Sequence, residues 1–183
     1  MPPPAQTTDV EEFAARVQKA ATAHSVNAHE FGKNIYDTLR ITEVKLEDED
    51  GATQQVGKAS RKKARVVVET VVRKDFLNPV GVLHGAATAY IIDICSSLPL
   101  MALSTSDFWS GLGGLSQSMS ILYHAPAPEG TKLKIISETL NVGGRIANMR
   151  CEIRNAETNK LIASGFHSKV NVMPKATNTT AKL

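Results

Sequence analysis

The chain has 183 residues, of which 42% are hydrophobic and 21% charged, and its formal net charge is +3. This size and balance suit one globular domain, and the positive charges are too few and too dispersed to predict nucleic-acid binding. The two cysteines, Cys95 and Cys151, belong to no CxxC or Cys/His cluster. The sequence therefore predicts neither a zinc site nor a disulfide scaffold, and it favours a reducing compartment.

The N-terminal region predicts a disordered arm followed by helices. Residues 1–13 lack the basic and apolar regions of a signal peptide. The tetrapeptide Thr8-Asp9-Val10-Glu11 resembles a capping box, so a helix is predicted from there to about His24. A second, short helix is predicted near residues 30–39.

Two strands are predicted before the middle of the chain. Residues 39–46 alternate between apolar and polar side chains, and residues 64–72 are rich in valine, which favours strands. The acidic stretch at residues 47–51 predicts a loop after the first of them.

A long apolar segment begins at His84. Residues 84–104 are apolar nearly all round and rich in alanine and leucine, which predicts a buried helix. Pro99 is expected to kink this helix or to end its regular part. No charged residue occurs in residues 76–92, but Asn78 and other polar or helix-breaking residues make this stretch a poor membrane span.

Antiparallel strands are predicted after this helix. Val142-Gly143-Gly144-Arg145 predicts a hairpin turn in which glycine supplies a positive φ. A long apolar helix with antiparallel strands on both sides predicts an α+β fold with the sheet wrapped around the helix, and another α+β sandwich stays open. The predicted strands are Leu115–Tyr123, Lys132–Asn141, Arg145–Asn155 and Leu161–Val172.

Asp93 is the most informative residue in the apolar segment. It is the only Asp, Glu, Lys or Arg between Asp75 and Asp107. An unpaired buried carboxylate is costly, so either a serine or the backbone satisfies it, or it serves as a general base or nucleophile in a pocket.

His84-Gly85 opens the predicted helix. The first N–H groups of a helix lack internal partners and carry partial positive charge, which is the geometry of an oxyanion hole, although a plain turn before the helix is the alternative. Asp93 follows His84 by nine residues. The two side chains therefore leave opposite faces, with Cα atoms roughly 13 Å apart. A two-fold dimer could bring Asp93 of one chain to Gly85 of the other.

The segment from Asn78 to Asp93 resembles the signature of the PaaI-type hot-dog acyl-CoA thioesterases. That family has Asn, five residues, His-Gly-Gly, and Asp nine residues after the His. Residues 114–127 and 165–169 resemble its later strands, so the resemblance covers residues 39–172. It implies a hot-dog fold, hydrolysis of acyl-CoA to a free acid and CoA, and no metal or cofactor. Ala86 stands where the family has its second glycine.

The resemblance also implies residue roles. The Gly85 N–H, helped by Asn78, would polarise the thioester carbonyl. Asp93 of the facing subunit would activate water or attack directly, Ser116 would orient that water, and His84 would shape the site. A dimer, joined with a second dimer into a tetramer, is the expected assembly.

Other candidates stand beside this set. Lys62, His167 and Lys169 are candidate CoA contacts, with a solvated strand face as the alternative for the basic run around Lys62. Cys95 is predicted to be a buried core residue and not a nucleophile. The ending Ala181-Lys182-Leu183 resembles a peroxisomal address, with the cytoplasm as the alternative.

The predicted organisation is an N-terminal arm and helical extension over residues 1–38, a hot-dog domain over residues 39–173 and a flexible tail over residues 174–183. Two other functions stay open. One is a non-catalytic acyl-CoA-binding hot-dog protein. The other is a hot-dog enoyl-CoA hydratase or dehydratase, in which His84 and Asp93 could meet only across a dimer interface.

Overall fold

The computed structural model describes residues 31–48, 62–105, 108–109 and 113–172, together with Glu11, Phe13 and Ala15. The predicted capping box, most of the acidic loop, the side chain of Lys62 and the tail with its Ala181-Lys182-Leu183 ending lie outside the described residues.

One six-stranded antiparallel sheet forms the framework, with the strand order β1-β2-β4-β5-β6-β3. All six strands begin and end within two residues of their predicted bounds. Alternation of buried and exposed residues along β4, β5 and β6 shows why their sequences form strands with one face inward. The strands are β1 (Arg40–Asp48), β2 (Lys62–Val71), β3 (Leu115–Tyr123), β4 (Lys132–Val142), β5 (Ile146–Asn155) and β6 (Leu161–Val170).

The long helix α2 (Gly85–Leu103) lies against the inner face of this sheet. Its side chains Ile91, Ile92 and Cys95 are completely buried, and they pack against apolar residues of the strands. Each fully buried aliphatic side chain stabilises the fold by roughly 1.5–3 kcal/mol. The predicted hot-dog fold, an antiparallel sheet wrapped around a central helix, is therefore confirmed. The strand residues of this core include Val44, Val66, Val68, Leu133, Ile135 and Ile153.

Pro99 lies inside α2, which continues for four residues to Leu103. The prediction that Pro99 ends the helix is therefore wrong. Proline has no N–H, so the Cys95 carbonyl lacks its usual helical donor, yet packing of the surrounding turns against the sheet maintains the helix. By length and composition α2 could cross a membrane, a property it shares with the core helices of soluble proteins, and 50% of the apolar stretch is buried within the protein.

The residues before β1 also contribute to the core. A single helical turn, α1 (Lys33–Tyr36), buries Ile35, and Gly32 at its start has a φ of 68°. A Cβ atom on Gly32 would lie 2.3 Å from Cζ of Tyr90, so only glycine fits beneath that ring. Phe13 is helical and buried in the main core. Phe13 and Ile35 thus pack onto the domain, and the predicted boundary at residue 38 stays a prediction.

The hairpin between β4 and β5 forms as predicted, but for a different reason. The Gly143 N–H donates to the Ile146 carbonyl at 2.9 Å. Neither Gly143 nor Gly144 has a positive φ, so the expected left-handed glycine is wrong here. The turn is held by this backbone hydrogen bond and by the register of the two strands.

Gly165 on β6 is needed for close packing of α2 on the sheet. A Cβ atom there would lie 2.9 Å from Cγ2 of Ile92, which is itself buried. We expect Gly165→Ala to lower the free energy of unfolding by about 1–3 kcal/mol, because the core must shift to admit one methyl group. Urea unfolding at fixed protein concentration measures this. Gly144→Ala is the matched control, since its Cβ would meet nothing within 4 Å; equal losses in both variants would contradict the packing argument.

Candidate active site

The start of α2 presents the Gly85 N–H as a free backbone donor. His84 is the N-cap residue, and its Nδ1 atom accepts the Ala86 N–H at 2.9 Å. The Gly85 N–H donates no hydrogen bond to another described residue. The three atoms nearest to a Cβ atom on Gly85 would all belong to the Tyr123 side chain, at 3.7 Å. The Tyr123 hydroxyl donates to the Gly85 carbonyl at 3.2 Å. The first N–H of the helix is therefore open to a ligand oxygen.

Asn78 is held close to this helix start by a tight turn. Its side-chain oxygen accepts the N–H groups of Val80 at 3.0 Å and Val82 at 3.2 Å. The flanking residues Leu77 and Leu83 form an antiparallel bridge, which joins the two arms of the loop just before His84. Because Oδ1 is already engaged, the amide of Asn78 presents its NH₂ group as the end that can donate to a ligand.

Asp93 lies about two helical turns further along α2. The Ser116 hydroxyl donates to its Oδ1 atom at 3.1 Å. Its side chain is 40% exposed, so the expectation of a fully buried carboxylate is wrong. The interpretation in which a serine satisfies Asp93 agrees with this hydrogen bond. The carboxylate also reaches solvent, where a water or ligand can approach it, and its role as base or nucleophile stays a prediction.

A β-bulge in β3 directs Ser116 towards Asp93. The register shifts at Gln117, so that Ser116 pairs with Lys169 and Met119 pairs with His167. Directly paired residues of antiparallel strands share a face of the sheet. Because His167 and Lys169 contact α2, the extra residue places both Ser116 and Met119 on the α2 side, as bulges next to active sites do.

The candidate CoA contacts His167 and Lys169 lie in the interior beside Asp93, and their contact with CoA stays a prediction. The two residues are 1% and 6% exposed. The Nδ1 atom of His167 is 2.7 Å from the Ser96 hydroxyl, and its Nε2 atom is 3.6 Å from Oδ1 of Asp93, too far for a hydrogen bond. Burial lowers the pKa of His167, and the charge of Lys169 lowers it further, while Asp93 opposes both effects.

Lys169 contacts α2 at Ser97, one helical turn after Asp93. Its ammonium group donates to the Ser97 hydroxyl at 2.7 Å. Burial lowers the pKa of Lys169, and Asp93 opposes this effect. Ser96 and Ser97 were missed in the sequence, although their positions three and four residues after Asp93 place them on its face of the helix.

Cys95 is a core residue, as predicted. It is fully buried, and burial raises the pKa of its thiol well above the usual value, which leaves it unreactive. Burial likewise raises the pKa of Cys151 to about 12.

The predicted site residues therefore form two groups in one chain. Asn78, His84 and Gly85 lie at the start of α2, and Asp93 and Ser116 lie further along it. Gly85 and Asp93 are eight residues apart, about 12 Å along the helix axis. One group can stabilise negative charge, and the other can accept a proton.

The chain is similar to known proteins in both sequence and fold. Residues 80–162 match the thioesterase superfamily. Acyl-coenzyme A thioesterase 13 of Mus musculus is 29% identical over 75% of this chain and 94% of that protein. The human protein of the same name is 33% identical over 57% of this chain and 71% of that protein. The structure of the E. coli PaaI protein has a TM-score of 0.61 at 16% identity, and the match covers 89% of this chain and 98% of that one.

The family match covers His84, Gly85, Asp93 and Ser116, and Asn78 lies two residues before it. The fold, with α2 enclosed by one antiparallel sheet, is that of the hot-dog class, and PaaI shares it. The chain belongs to the thioesterase superfamily and is a thioesterase with a hot-dog fold.

Proposed function

We propose that the chain hydrolyses acyl-CoA thioesters to a free carboxylic acid and CoA, in a site shared by two copies of the chain. The observation that carries this proposal is the pair of groups on α2, a free Gly85 N–H at the helix start and a solvent-reachable Asp93 carboxylate held by Ser116. Relatives named acyl-coenzyme A thioesterase support CoA esters as the substrate class.

The start of α2 polarises the thioester carbonyl. Attack on this carbonyl creates an oxyanion, and the Gly85 N–H can donate to it at the positive end of the helix dipole. The NH₂ group of Asn78, fixed by its turn, supplies the second donor. The Nδ1 atom of His84 already accepts the Ala86 N–H, so the neutral ring carries its proton on Nε2, where it can donate to the substrate.

Asp93 acts as the general base. It takes a proton from water while the water oxygen bonds to the carbonyl carbon, and Ser116 holds the carboxylate and the water in line. Collapse of the oxyanion breaks the carbon–sulfur bond, and the proton passes to the departing CoA sulfur. The reaction consumes one water and needs neither metal nor cofactor.

The exposed edge of the sheet explains how two copies complete the site. β3 is an edge strand with Met119 at its centre, and its Ser116 end adjoins Asp93 while its Tyr123 end adjoins Gly85. If two copies of β3 pair antiparallel about Met119, Ser116 of one lies opposite Leu122 of the other. Asp93 of one chain then lies beside Gly85 of its partner. Exposed Leu115, Leu122 and Tyr123 side chains favour this burial.

Release of free CoA, detected with a thiol reagent, tests the proposed function. The substrates are short, medium and long acyl-CoAs and an aryl-CoA. We expect turnover of at least one class. Binding of acyl-CoA without any turnover would overturn the proposal and favour a non-catalytic acyl-CoA-binding protein.

Loss of the Ser116 hydroxyl should weaken the base without abolishing it. We expect Ser116→Ala to lower kcat about 10-fold, because Asp93 keeps its charge but loses the donor that orients it. Ser118→Ala is the matched control on the same strand, since Ser118 pairs with Ser168 on the outer face of the sheet. Steady-state CoA release from both variants measures the effect, and equal rates in the two would contradict the role of Ser116.

A further inference from the structure

Lys169 is a buried cation that a hydrogen bond to Ser97 holds near Asp93. Lys169 is 6% exposed, and its Nζ atom donates to Ser97 Oγ at 2.7 Å. The Ser97 hydroxyl in turn donates to the backbone carbonyl of Asp93 at 2.8 Å. Burying an ammonium group is costly unless an opposite charge compensates it. The contacts with serine alone supply no such charge.

Among the described residues, the groups around Lys169 leave Asp93 as its counter-charge. α2 presents Asp93, and β6 itself presents His167. The residues that pair with Lys169 are Ser116 on β3 and Ala147 on β5, and neither carries a charge. Asp93 also favours the charged form of the lysine, as expected for a carboxylate nearby.

His167 competes for the same carboxylate. Its Nε2 atom is buried, has no hydrogen-bond partner in the part of the chain that the structure describes, and lies 3.6 Å from Oδ1 of Asp93. A protonated imidazole would need to move only slightly to donate to this oxygen, and a charge-assisted hydrogen bond would then occupy it. The positive charge of Lys169 opposes this protonation and lowers the pKa of His167.

We propose that Lys169 is a positioning residue, whose ammonium group balances the charge of Asp93 and keeps His167 uncharged, so that the carboxylate oxygens remain free for water. The catalytic part of this inference rests on the proposed hydrolysis. Its electrostatic part, the effect of Lys169 on His167, does not depend on turnover.

The first test is an NMR titration of the His167 ring in the full-length protein without substrate. His167→Gln identifies the resonance. Lys169→Met preserves the side-chain length without the charge, and the Ser97 hydroxyl still has its Asp93 carbonyl acceptor. We expect the pKa of His167 to rise by roughly one unit in this variant, because a nearby like charge is removed. Lys169→Arg should keep it low. Lys160→Met, at an exposed lysine in the turn before β6, is the control and should leave it unchanged.

The second test is the pH dependence of kcat/KM. In Lys169→Met, His167 takes up a proton at higher pH and binds Asp93, so the acid limb of the profile should move to higher pH by a similar amount. At alkaline pH the rate should approach that of the wild type. Lys169→Arg should retain the wild-type profile shape.

The two tests separate the possible failures. An unchanged His167 titration in folded Lys169→Met, or a rate that falls equally at every pH, would overturn the positioning role. Loss of all thioesterase activity in the wild type would remove the proposed function, while the NMR result would still decide the electrostatic part. If Lys169→Met does not fold, Lys169→Gln keeps a partner for Ser97 and serves in the same two measurements.

Discussion

Asp93→Asn is expected to lower kcat for acyl-CoA hydrolysis by about three orders of magnitude with the fold intact. Asparagine has nearly the same shape, and its side-chain oxygen can still accept the Ser116 hydroxyl that holds Asp93 at 3.1 Å. The amide cannot take a proton from water, so the general base alone is removed. CoA release under saturating substrate measures kcat, and circular dichroism with size-exclusion chromatography verifies fold and assembly.

Glu129→Gln is the matched control for this substitution. It removes one negative charge from an exposed residue in the turn between β3 and β4 and should retain wild-type activity. A rate for Asp93→Asn within a few-fold of that control would show that the carboxylate does not act as the base. Acyl-CoA binding should persist in the inactive variant, because the donors at the start of α2 are untouched.

The elements of the fold could be predicted because each has a local signal. Alternating side chains mark β4, β5 and β6, and a largely apolar run marks α2. All six strands lie within two residues of their predicted bounds. The exceptions arise where tertiary packing outweighs local preference. Pro99 does not end α2, because the helical turns before and after Pro99 both pack against the sheet.

The surroundings of Asp93 were harder to predict because they depend on residues distant in sequence. His167 and Lys169 are more than 70 residues from the serines they contact, and no local pattern links them. The sequence holds a partial signal for their burial. His167 and Lys169 lie two and four residues after Gly165 in β6, on the same inward face as Ala163 and Gly165. The bulge at Gln117, which directs Ser116 inward, has no comparable signal in the sequence.

Gly85→Pro offers a clean way to remove the oxyanion donor. Gly85 is the first helical residue, where proline is favoured because its missing N–H has no partner within the helix. His84 before it has φ −65° and ψ 138°, which a following proline accepts. We expect a loss of about 10²–10³-fold in kcat. Gly85→Ala is its control, because it keeps the N–H and adds a Cβ atom at 3.7 Å from Tyr123.

Mixing Asp93→Asn with Gly85→Pro then tests whether the site is shared between subunits. In a mixed dimer, one site receives both substitutions and the other receives neither. Co-expression of the two inactive chains should therefore restore about a quarter of wild-type activity, if subunits associate at random and half of the dimers are mixed. Purification through two different affinity tags, one on each chain, should raise this to about a half.

The geometry of α2 makes this result discriminating. A site built within one chain would have to span the distance from Gly85 to Asp93, about 12 Å along the axis, and every mixed dimer would then hold one defect per site and stay inactive. Mixing Asp93→Asn with Ser116→Ala gives the matched control. Both residues lie in the same half of the site, so the restored activity should not exceed that of Ser116→Ala. No restoration of activity in the mixture of Asp93→Asn with Gly85→Pro would contradict the shared site and would indicate a site within one chain.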